Sequence, residues 1–148
     1  MNRNGLRILI ILAMIGALTI VACINQIPTQ ARFENTTWVL ESYGQDGILQ
    51  DVSKDNQITA VFDSSKDQVT GSAGCNRYFA GYEITGNNIS VSAPGSTKKY
   101  CGKPENVMDM EQVYLKSLQG AEKFEIKGDK FRVLYSNKGV MIFTEHVD

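Results

Sequence analysis

The sequence predicts a mostly β fold of the α+β class: an antiparallel sheet or partly open β-barrel, with one packed α-helix before a C-terminal three-stranded meander. Two observations predict this fold. Short runs of alternating apolar and polar residues recur with turn residues between them, which is typical of antiparallel strands. One segment, 103–120, has helical spacing instead. The 148 residues are enough for one domain with its own core.

The first strands follow from the alternation. Three runs, 36–44, 57–65 and 77–86, each have an apolar and a polar face, and shorter strands are predicted over 67–74 and 89–93. The residues on the apolar faces are Trp38, Leu40, Ile58, Ala60, Phe62, Tyr78, Ala80, Tyr82 and Ile84. Because strand side chains alternate between the two faces of a sheet, this set predicts the barrel core.

The segment 103–120 has Pro104 near its start and Gly120 at its end, which are start and stop signals for a helix. Its apolar residues recur at i, i+3, i+7 and i+11 and form one stripe, made of Val107, Met110, Tyr114 and Leu118. This stripe predicts a helix packed against the sheet. The acidic residues in its first half, Asp109 and Glu111, are expected in solvent.

The C-terminal residues predict three strands joined by two tight turns, KGDK (127–130) and SNKG (136–139). Gly128 and Gly139 are expected to supply the positive φ angles that such turns require.

The N-terminus has the pattern of a lipoprotein signal peptide over residues 1–22. Arg3 and Arg7 precede an apolar run, 8–22, which is too short to cross a bilayer. The run ends in Ile-Val-Ala-Cys, which resembles a bacterial lipobox with Cys23 as the lipidated residue. We therefore expect an exported, membrane-anchored lipoprotein of the cell envelope.

The predicted mature protein divides into a lipidated cysteine with a polar tether, 23–34, and a folded domain, 35–148. Removal of Arg3 and Arg7 leaves 13 basic and 16 acidic side chains, a net charge of −3. This charge gives the domain no reason to lie flat on anionic lipid. No basic block is long enough to indicate binding to nucleic acid.

The two remaining cysteines, Cys75 and Cys101, are an even pair in an oxidising compartment, which favours a disulfide. Two buried free thiols are the alternative. No metal site or cofactor is predicted, because the cysteines have no CxxC partner and the one histidine, His146, is near the C-terminus.

Several segments resemble the META domain family, in the same order along the chain. The segment 74–82 is similar to its GCNxY/F-x-x-x-Y core, 95–101 to its Thr-x-x-x-Cys segment and 108–118 to its helix. The run 35–43 resembles the opening T-x-W-x-L strand, and 124–143 the closing meander. The segment before Cys101 departs from the family, since two lysines and a tyrosine stand where apolar residues are common. We expect this segment to be exposed.

The resemblance implies a compact, mostly β domain, found often in bacterial envelope lipoproteins such as the HslJ-like proteins. It also implies no established enzymatic activity and a loose link to stress and antibiotic tolerance. The sequence therefore predicts a non-enzymatic, lipid-anchored envelope protein, expected to be monomeric, that supports envelope integrity or stress tolerance. Its partners are the membrane, through the lipid, and either a hydrophobic ligand or another envelope protein.

The stretch GSAGCNRYFAGYE (71–83) contains most of the candidate site residues. Its structural set, together with the first strand's tryptophan, is Trp38, Gly74, Asn76, Arg77, Tyr78, Phe79, Gly81 and Tyr82. We expect Asn76 to bond to turn backbone and Arg77 to pair with a carboxylate.

Two alternatives give this stretch a more active role. A hydrophobic ligand or lipid could enter a barrel cavity lined by Phe62, Tyr78, Tyr82, Met110 and Tyr114. A thiol enzyme would use Cys75 as its nucleophile, but nothing in the sequence brings a base to it.

Overall fold

A computed structural model of the protein describes residues 33–146; the predicted signal peptide, Cys23 and residues 24–32 of the predicted tether lie outside this range. The strands are β1 (Thr37–Gln45), β2 (Ile48–Asp51), β3 (Thr59–Asp63), β4 (Gln68–Ser72), β5 (Arg77–Thr85), β6 (Asn88–Val91), β7 (Gly95–Ser96), β8 (Ala121–Lys127), β9 (Lys130–Tyr135) and β10 (Gly139–Glu145), and the helix is α1 (Val107–Gln119).

Eight antiparallel strands form a barrel in the order β1-β3-β4-β5-β6-β8-β9-β10, and β10 pairs with β1 to close it. Strands β2 and β7 lie beside this circle, paired with β1 and β5. The predicted mostly β fold, with one helix before a three-stranded meander, is confirmed. The barrel is closed rather than partly open, although the β6–β8 junction consists of the single residue pair Asn88–Lys123.

The strand register places the turns at two opposite ends of the barrel. We call one the tether end; it contains Phe33 and the turns around 64–67, 86–87 and 128–129. We call the other the disulfide end; it contains the corner 72–77 and the start of α1. Strand β5 runs the full distance between them, about 26 Å for nine residues at the usual rise per residue.

The predicted apolar faces point into the barrel. Every residue of that set is buried except Ile84, which is partly buried, while their neighbours in β5, Phe79, Gly81 and Glu83, face outward. The interior is mainly aromatic: Phe131 lies within 5.2–6.0 Å, centroid to centroid, of the rings of Phe33, Trp38, Phe62, Phe124 and Phe143. Large side chains therefore fill the middle of the barrel, as is usual for eight strands.

Phe33 belongs to this core, although the sequence placed it at the end of the polar tether. Its side chain is 0% exposed, and its ring contacts those of Phe62 and Phe124 at 4.9 and 5.3 Å. The indole N–H of Trp38 donates to its carbonyl oxygen at 3.0 Å. The packed domain thus extends at least to Phe33, two residues before the predicted boundary.

Helix α1 begins at Val107, after the cis peptide bond between Lys103 and Pro104, and ends before Gly120. The stripe predicted for it is confirmed, with Val107, Tyr114 and Leu118 buried and Met110 half-buried. The same face also buries Glu111, which is only 6% exposed. The expectation that this carboxylate lies in solvent is therefore wrong, because it has partners in the strands, described below.

The two turns of the meander reach their shape in different ways. Gly128 has a positive φ of 65°, as predicted. In the second turn Asn137 and Lys138 take the positive φ angles, at 63° and 60°, and Gly139 does not. Gly139 is needed for another reason: a Cβ at this position would lie 2.0 Å from the ring of Tyr135.

Candidate functional site: the disulfide end

The disulfide end is built around the bond between Cys75 and Cys101, whose Cα atoms are 5.9 Å apart. Cys75 lies in the corner between β4 and β5, and Cys101 lies in the loop before α1. The bond therefore connects that loop to the barrel wall. Of the two alternatives that the sequence left open, the structure has the disulfide.

Asn76, the next residue, is the centre of a hydrogen-bond network. Its side-chain Nδ2 donates to Glu111 Oε1 at 2.8 Å and to the Lys99 carbonyl at 3.1 Å. Its Oδ1 accepts from Thr97 Oγ1 at 2.7 Å and from the Lys99 N–H at 2.8 Å. The prediction that Asn76 bonds turn backbone is confirmed, and the side chain also links the loop to the helix.

Glu111 completes the network from α1. Its Oε2 accepts the backbone N–H of Asn76 at 2.7 Å, while Oε1 accepts from the amide side chain. Both carboxylate oxygens are thus satisfied at a place where Asn76 itself is 2% exposed. A buried acid with such partners holds two elements together, whereas one without them would destabilise the fold.

The loop 97–101 is also attached to β5 through its backbone. The Thr97 N–H donates to the Arg77 carbonyl at 3.0 Å, and the Arg77 N–H donates to Thr97 Oγ1 at 3.3 Å. Just before it, β7 pairs with Tyr78 and Phe79. One loop is therefore held by a disulfide, by the Asn76 amide and by strand pairing.

A pair of tyrosines lies beneath this network, inside the barrel. The hydroxyls of Tyr78 and Tyr114 are 2.7 Å apart, and Tyr78 also donates to the Thr59 carbonyl at 3.0 Å. Burial raises the pKa of both phenols. They therefore stay protonated at neutral pH and join α1 to the barrel wall.

The side chains that this loop carries point to solvent. Lys98, Lys99 and Lys103 are exposed, and Tyr100 is 86% exposed. This confirms the expectation that the segment before Cys101 is exposed. We use the name loop surface for these four residues together with two outward side chains of β5, Arg77 and Phe79.

Phe79 is 57% exposed, and its ring lies over Gly95: a Cβ there would be 2.8 Å from the ring. Arg77 is exposed, and no carboxylate of residues 33–146 forms an ion pair with it. The predicted partner carboxylate for Arg77 is therefore absent from the described residues.

The structure shows the local surroundings of the remaining residues in the predicted structural set. Gly74 has a φ of 108°, and a Cβ there would lie 2.5 Å from Asn56 Oδ1. Gly81 faces outward next to Ser92 without a close approach that requires glycine. Trp38 lies in the aromatic core at the tether end.

The residues predicted to line a ligand cavity pack against each other. Phe62 and Tyr82 have ring centroids 5.2 Å apart, and Tyr78 and Tyr114 lie 5.5 Å apart. Met110 is half-buried at the edge of the core. Two surface concavities have volumes of about 750 and 520 Å³. The first is lined by the β5–β6 hairpin and includes Tyr82, and the second is lined by β1 with the loop 51–57. The ligand cavity stays a prediction.

The groups that the thiol-enzyme alternative needs are distributed over the molecule. Cys75 is oxidised, so it has no thiolate to act as a nucleophile. The backbone N–H of His146 bonds to Thr37 at the tether end, the opposite end of the barrel.

Among residues 33–146, no group of three or more His, Cys, Asp or Glu side chains could hold a metal ion. The described helix is also too short and polar to cross a membrane.

These features define a class of protein: a small closed antiparallel barrel with one inserted helix, in which a disulfide attaches an exposed loop to the corner between two strands. A model of the META domain family matches residues 31–148. The chain therefore belongs to the META domain family. No functionally curated protein matches it.

Solved structures with the same fold share little sequence with this chain. The NMR structure of a protein from Burkholderia xenovorans is 23% identical, with a TM-score of 0.67 over 84% of this chain and 90% of its own. A second NMR structure is 18% identical, with a TM-score of 0.60 over 80% and 95%. The crystal structure of a DUF4847 family protein from Bacteroides vulgatus is 11% identical, with a TM-score of 0.57 over 80% and 98%. These similarities support the fold.

Sequence reasoning missed two members of the network, Thr97 and Glu111. Both lie within the segments that resemble the family's Thr-x-x-x-Cys and helix motifs. The family motifs therefore contained a signal for both residues. The position of Glu111 in the first half of the helix, taken alone, predicted that its carboxylate lies in solvent. Only the fold shows that the motif residues meet around Asn76.

Proposed function

We propose that this protein is a non-enzymatic lipoprotein of the cell envelope, anchored through Cys23, that binds an envelope component through its loop surface. The observation that carries the proposal is the contrast within the loop 97–101. Its backbone is held by three kinds of contact, while Lys98, Lys99 and Tyr100 make none of those contacts with their side chains. A rigid loop with exposed side chains suits recognition, because little conformational entropy is lost on binding.

The location of the anchor supports the same proposal. The chain enters the barrel at Phe33, at the tether end, and the loop surface lies at the disulfide end. The point where the predicted tether joins the domain is therefore remote from the loop surface, which stays available to an envelope component. By binding an envelope component there, the protein would support envelope integrity or tolerance of stress and antibiotics.

The experiment compares strains that lack the gene and are complemented with wild type, Cys23→Ser or Lys98→Glu/Lys99→Glu. Labelled fatty acid should enter the wild type and not Cys23→Ser. The deletion strain should lose viability under detergent, heat or antibiotic stress, and only the wild type should restore it.

Two results would contradict the proposal. One is fatty-acid labelling that persists in Cys23→Ser, which would remove the anchor. The other is full complementation by the lysine variant at normal protein level, which would remove the role of the loop surface.

A further inference from the structure

The loop surface combines two kinds of side chain that indicate one class of partner. Four cations, on Arg77, Lys98, Lys99 and Lys103, lie around the disulfide. Two exposed aromatic rings, those of Phe79 and Tyr100, lie among them. This occurs in a chain whose predicted mature form has a net charge of −3, so the basic character is local.

None of these four cations takes part in an ion pair of the described residues. The ion pairs of residues 33–146 join Lys66 to Asp63, Lys130 to Glu41, and Arg132 to both Asp46 and Glu125. Glu111 beneath the loop and Glu105, two residues after Lys103, offset part of this charge. The remaining excess of cations attracts an anionic partner.

The cations come from two neighbouring segments. Arg77 lies in β5, and Lys98, Lys99 and Lys103 lie in the chain before α1. The two segments are adjacent, because the Thr97 N–H bonds to the Arg77 carbonyl at 3.0 Å and the Lys99 N–H bonds to Asn76 at 2.8 Å. Several cations on adjacent segments suit a partner that carries repeated negative charges.

The exposed aromatic rings favour a polymer that contains flat rings. Nucleic-acid bases also stack on such rings, but the proposed location in the cell envelope favours a glycan. Tyr100 is 86% exposed, and the ring of Phe79 is 57% exposed and rests on Gly95. Exposed rings of this kind offer flat apolar faces, on which the C–H faces of sugar rings stack. An acidic peptide would use the charges but has no repeated flat face for these rings.

The position of the surface argues against the bilayer as the partner. Aromatic rings with lysines also suit a lipid headgroup region. However, the chain enters the barrel at the tether end, and the loop surface lies at the other end of β5, about 26 Å away along the strand. The point where the predicted tether joins the barrel is therefore remote from the loop surface, which favours a partner other than the anchoring bilayer.

We propose that the loop surface binds an anionic polysaccharide, with sugar rings stacked on Tyr100 and Phe79 and acid groups paired with Arg77, Lys98, Lys99 and Lys103. The glycan proposal rests on the proposed function, because it names the envelope component that the loop surface binds. Glycan binding does not require the lipid on Cys23, so the glycan proposal and the lipid anchor can fail separately.

The test uses the full-length protein in a neutral detergent and measures binding by calorimetry. The probes are polygalacturonate, neutral dextran, polyglutamate, a single-stranded DNA oligonucleotide, and vesicles containing phosphatidylglycerol. We expect polygalacturonate to bind most tightly and dextran not to bind. Because exposed charge pairs are screened by salt, raising NaCl from about 50 to about 300 mM should weaken binding roughly tenfold.

Two variants separate charge from stacking. Lys98→Glu/Lys99→Glu should weaken polygalacturonate binding at least tenfold, and the control Lys123→Glu/Lys127→Glu, with the same change of charge on β8, should leave it unchanged. Tyr100→Ala should weaken polygalacturonate binding about fivefold and leave polyglutamate binding unchanged, because that ring has no ionic role. Circular dichroism confirms that each variant is folded.

The remaining outcomes overturn the proposal. Equal binding of polyglutamate would show that charge alone acts. Tighter binding of DNA or of vesicles would assign the surface to a nucleic acid or a bilayer. Absence of polygalacturonate binding, or equal loss in the β8 control, would remove the site. Equal affinity of Cys23→Ser and wild type for polygalacturonate would show that glycan binding does not need the lipid.

Discussion

The two ends of the barrel are closed by different kinds of interaction. At the tether end, the Phe33 side chain packs among the rings of Phe62, Phe124 and Phe131, with a hydrogen bond from Trp38 to its backbone. At the disulfide end, closure is polar and directional, through Asn76, Glu111 and a covalent bond.

The difference has a consequence for function. Aromatic packing is strong but does not orient a surface loop, because dispersion and the hydrophobic effect are not directional. The Asn76 amide accepts hydrogen bonds from Thr97 and Lys99 and donates one to Glu111, and these bonds fix the loop in one orientation. The polar end therefore suits recognition, and the apolar end provides stability. Replacements at each end test this assignment.

We expect the largest loss at the tether end, from Phe33→Ala. Removing a fully buried phenyl ring costs about 3–5 kcal/mol of unfolding free energy, since transfer and cavity terms add. Phe33→Leu should lose less, because it keeps part of the volume. Urea unfolding of full-length protein in detergent measures both.

The matched control for Phe33 is Tyr100→Ala, which removes a ring of similar size that is exposed. It should change the unfolding free energy by less than about 0.5 kcal/mol. A loss below about 1 kcal/mol for Phe33→Ala would mean that the N-terminal segment does not close the barrel, because burying a ring of this size is worth more than that.

At the disulfide end, Asn76→Ala should cost about 2–4 kcal/mol, because four side-chain hydrogen bonds are lost and Glu111 keeps only a backbone donor. Hydrogen exchange should also become faster at Lys99, whose N–H bonds to this side chain. Asn87→Ala, at an exposed turn, is the control. Protection of the Lys99 amide that survives Asn76→Ala would show that the amide does not position the loop.

The disulfide contributes to the same end through the unfolded chain. The double variant Cys75→Ser/Cys101→Ser should lose about 2–4 kcal/mol, as expected for a crosslink that closes a loop of this length, about 27 residues. Reduction of the wild type should give a similar loss. Two reactive thiols in unreduced, denatured wild-type protein would contradict the crosslink.

The sequence predicted most of the barrel and missed one residue that closes each end. Strand faces, the helix stripe and the meander were confirmed because alternation and helical spacing report directly which side of an element is buried. Phe33 was assigned to a tether because its neighbours 24–32 are mostly polar, and a single apolar residue has no period. Glu111 was assigned to solvent because local position cannot show that Asn76, 35 residues earlier, supplies its donors.

The smallest effects come from two tyrosines, one near each end. The Tyr78 hydroxyl bonds to Tyr114 and to Thr59, whereas the Tyr82 hydroxyl is buried without a partner among residues 33–146. We expect Tyr78→Phe to cost about 1 kcal/mol at pH 7, the usual net worth of a hydrogen bond. Tyr82→Phe should cost nothing or stabilise, because it removes an unsatisfied polar group.

Alkaline pH should then weaken the whole barrel, because burial raises the pKa of Tyr82 to about 12 and that of Tyr78 and Tyr114 as well. The unfolded chain releases these protons near pH 10 and the folded chain does not, so the stability present below pH 10 decreases as pH rises above it. Each fully buried phenol adds at most about 1.4 kcal/mol per pH unit to this slope. Unfolding at pH 8, 9, 10 and 11 should give a shallower slope for Tyr78→Phe than for wild type. An unchanged slope would mean that the hydroxyl pair at the disulfide end is open to solvent, and the polar end would then be less well sealed than the aromatic one.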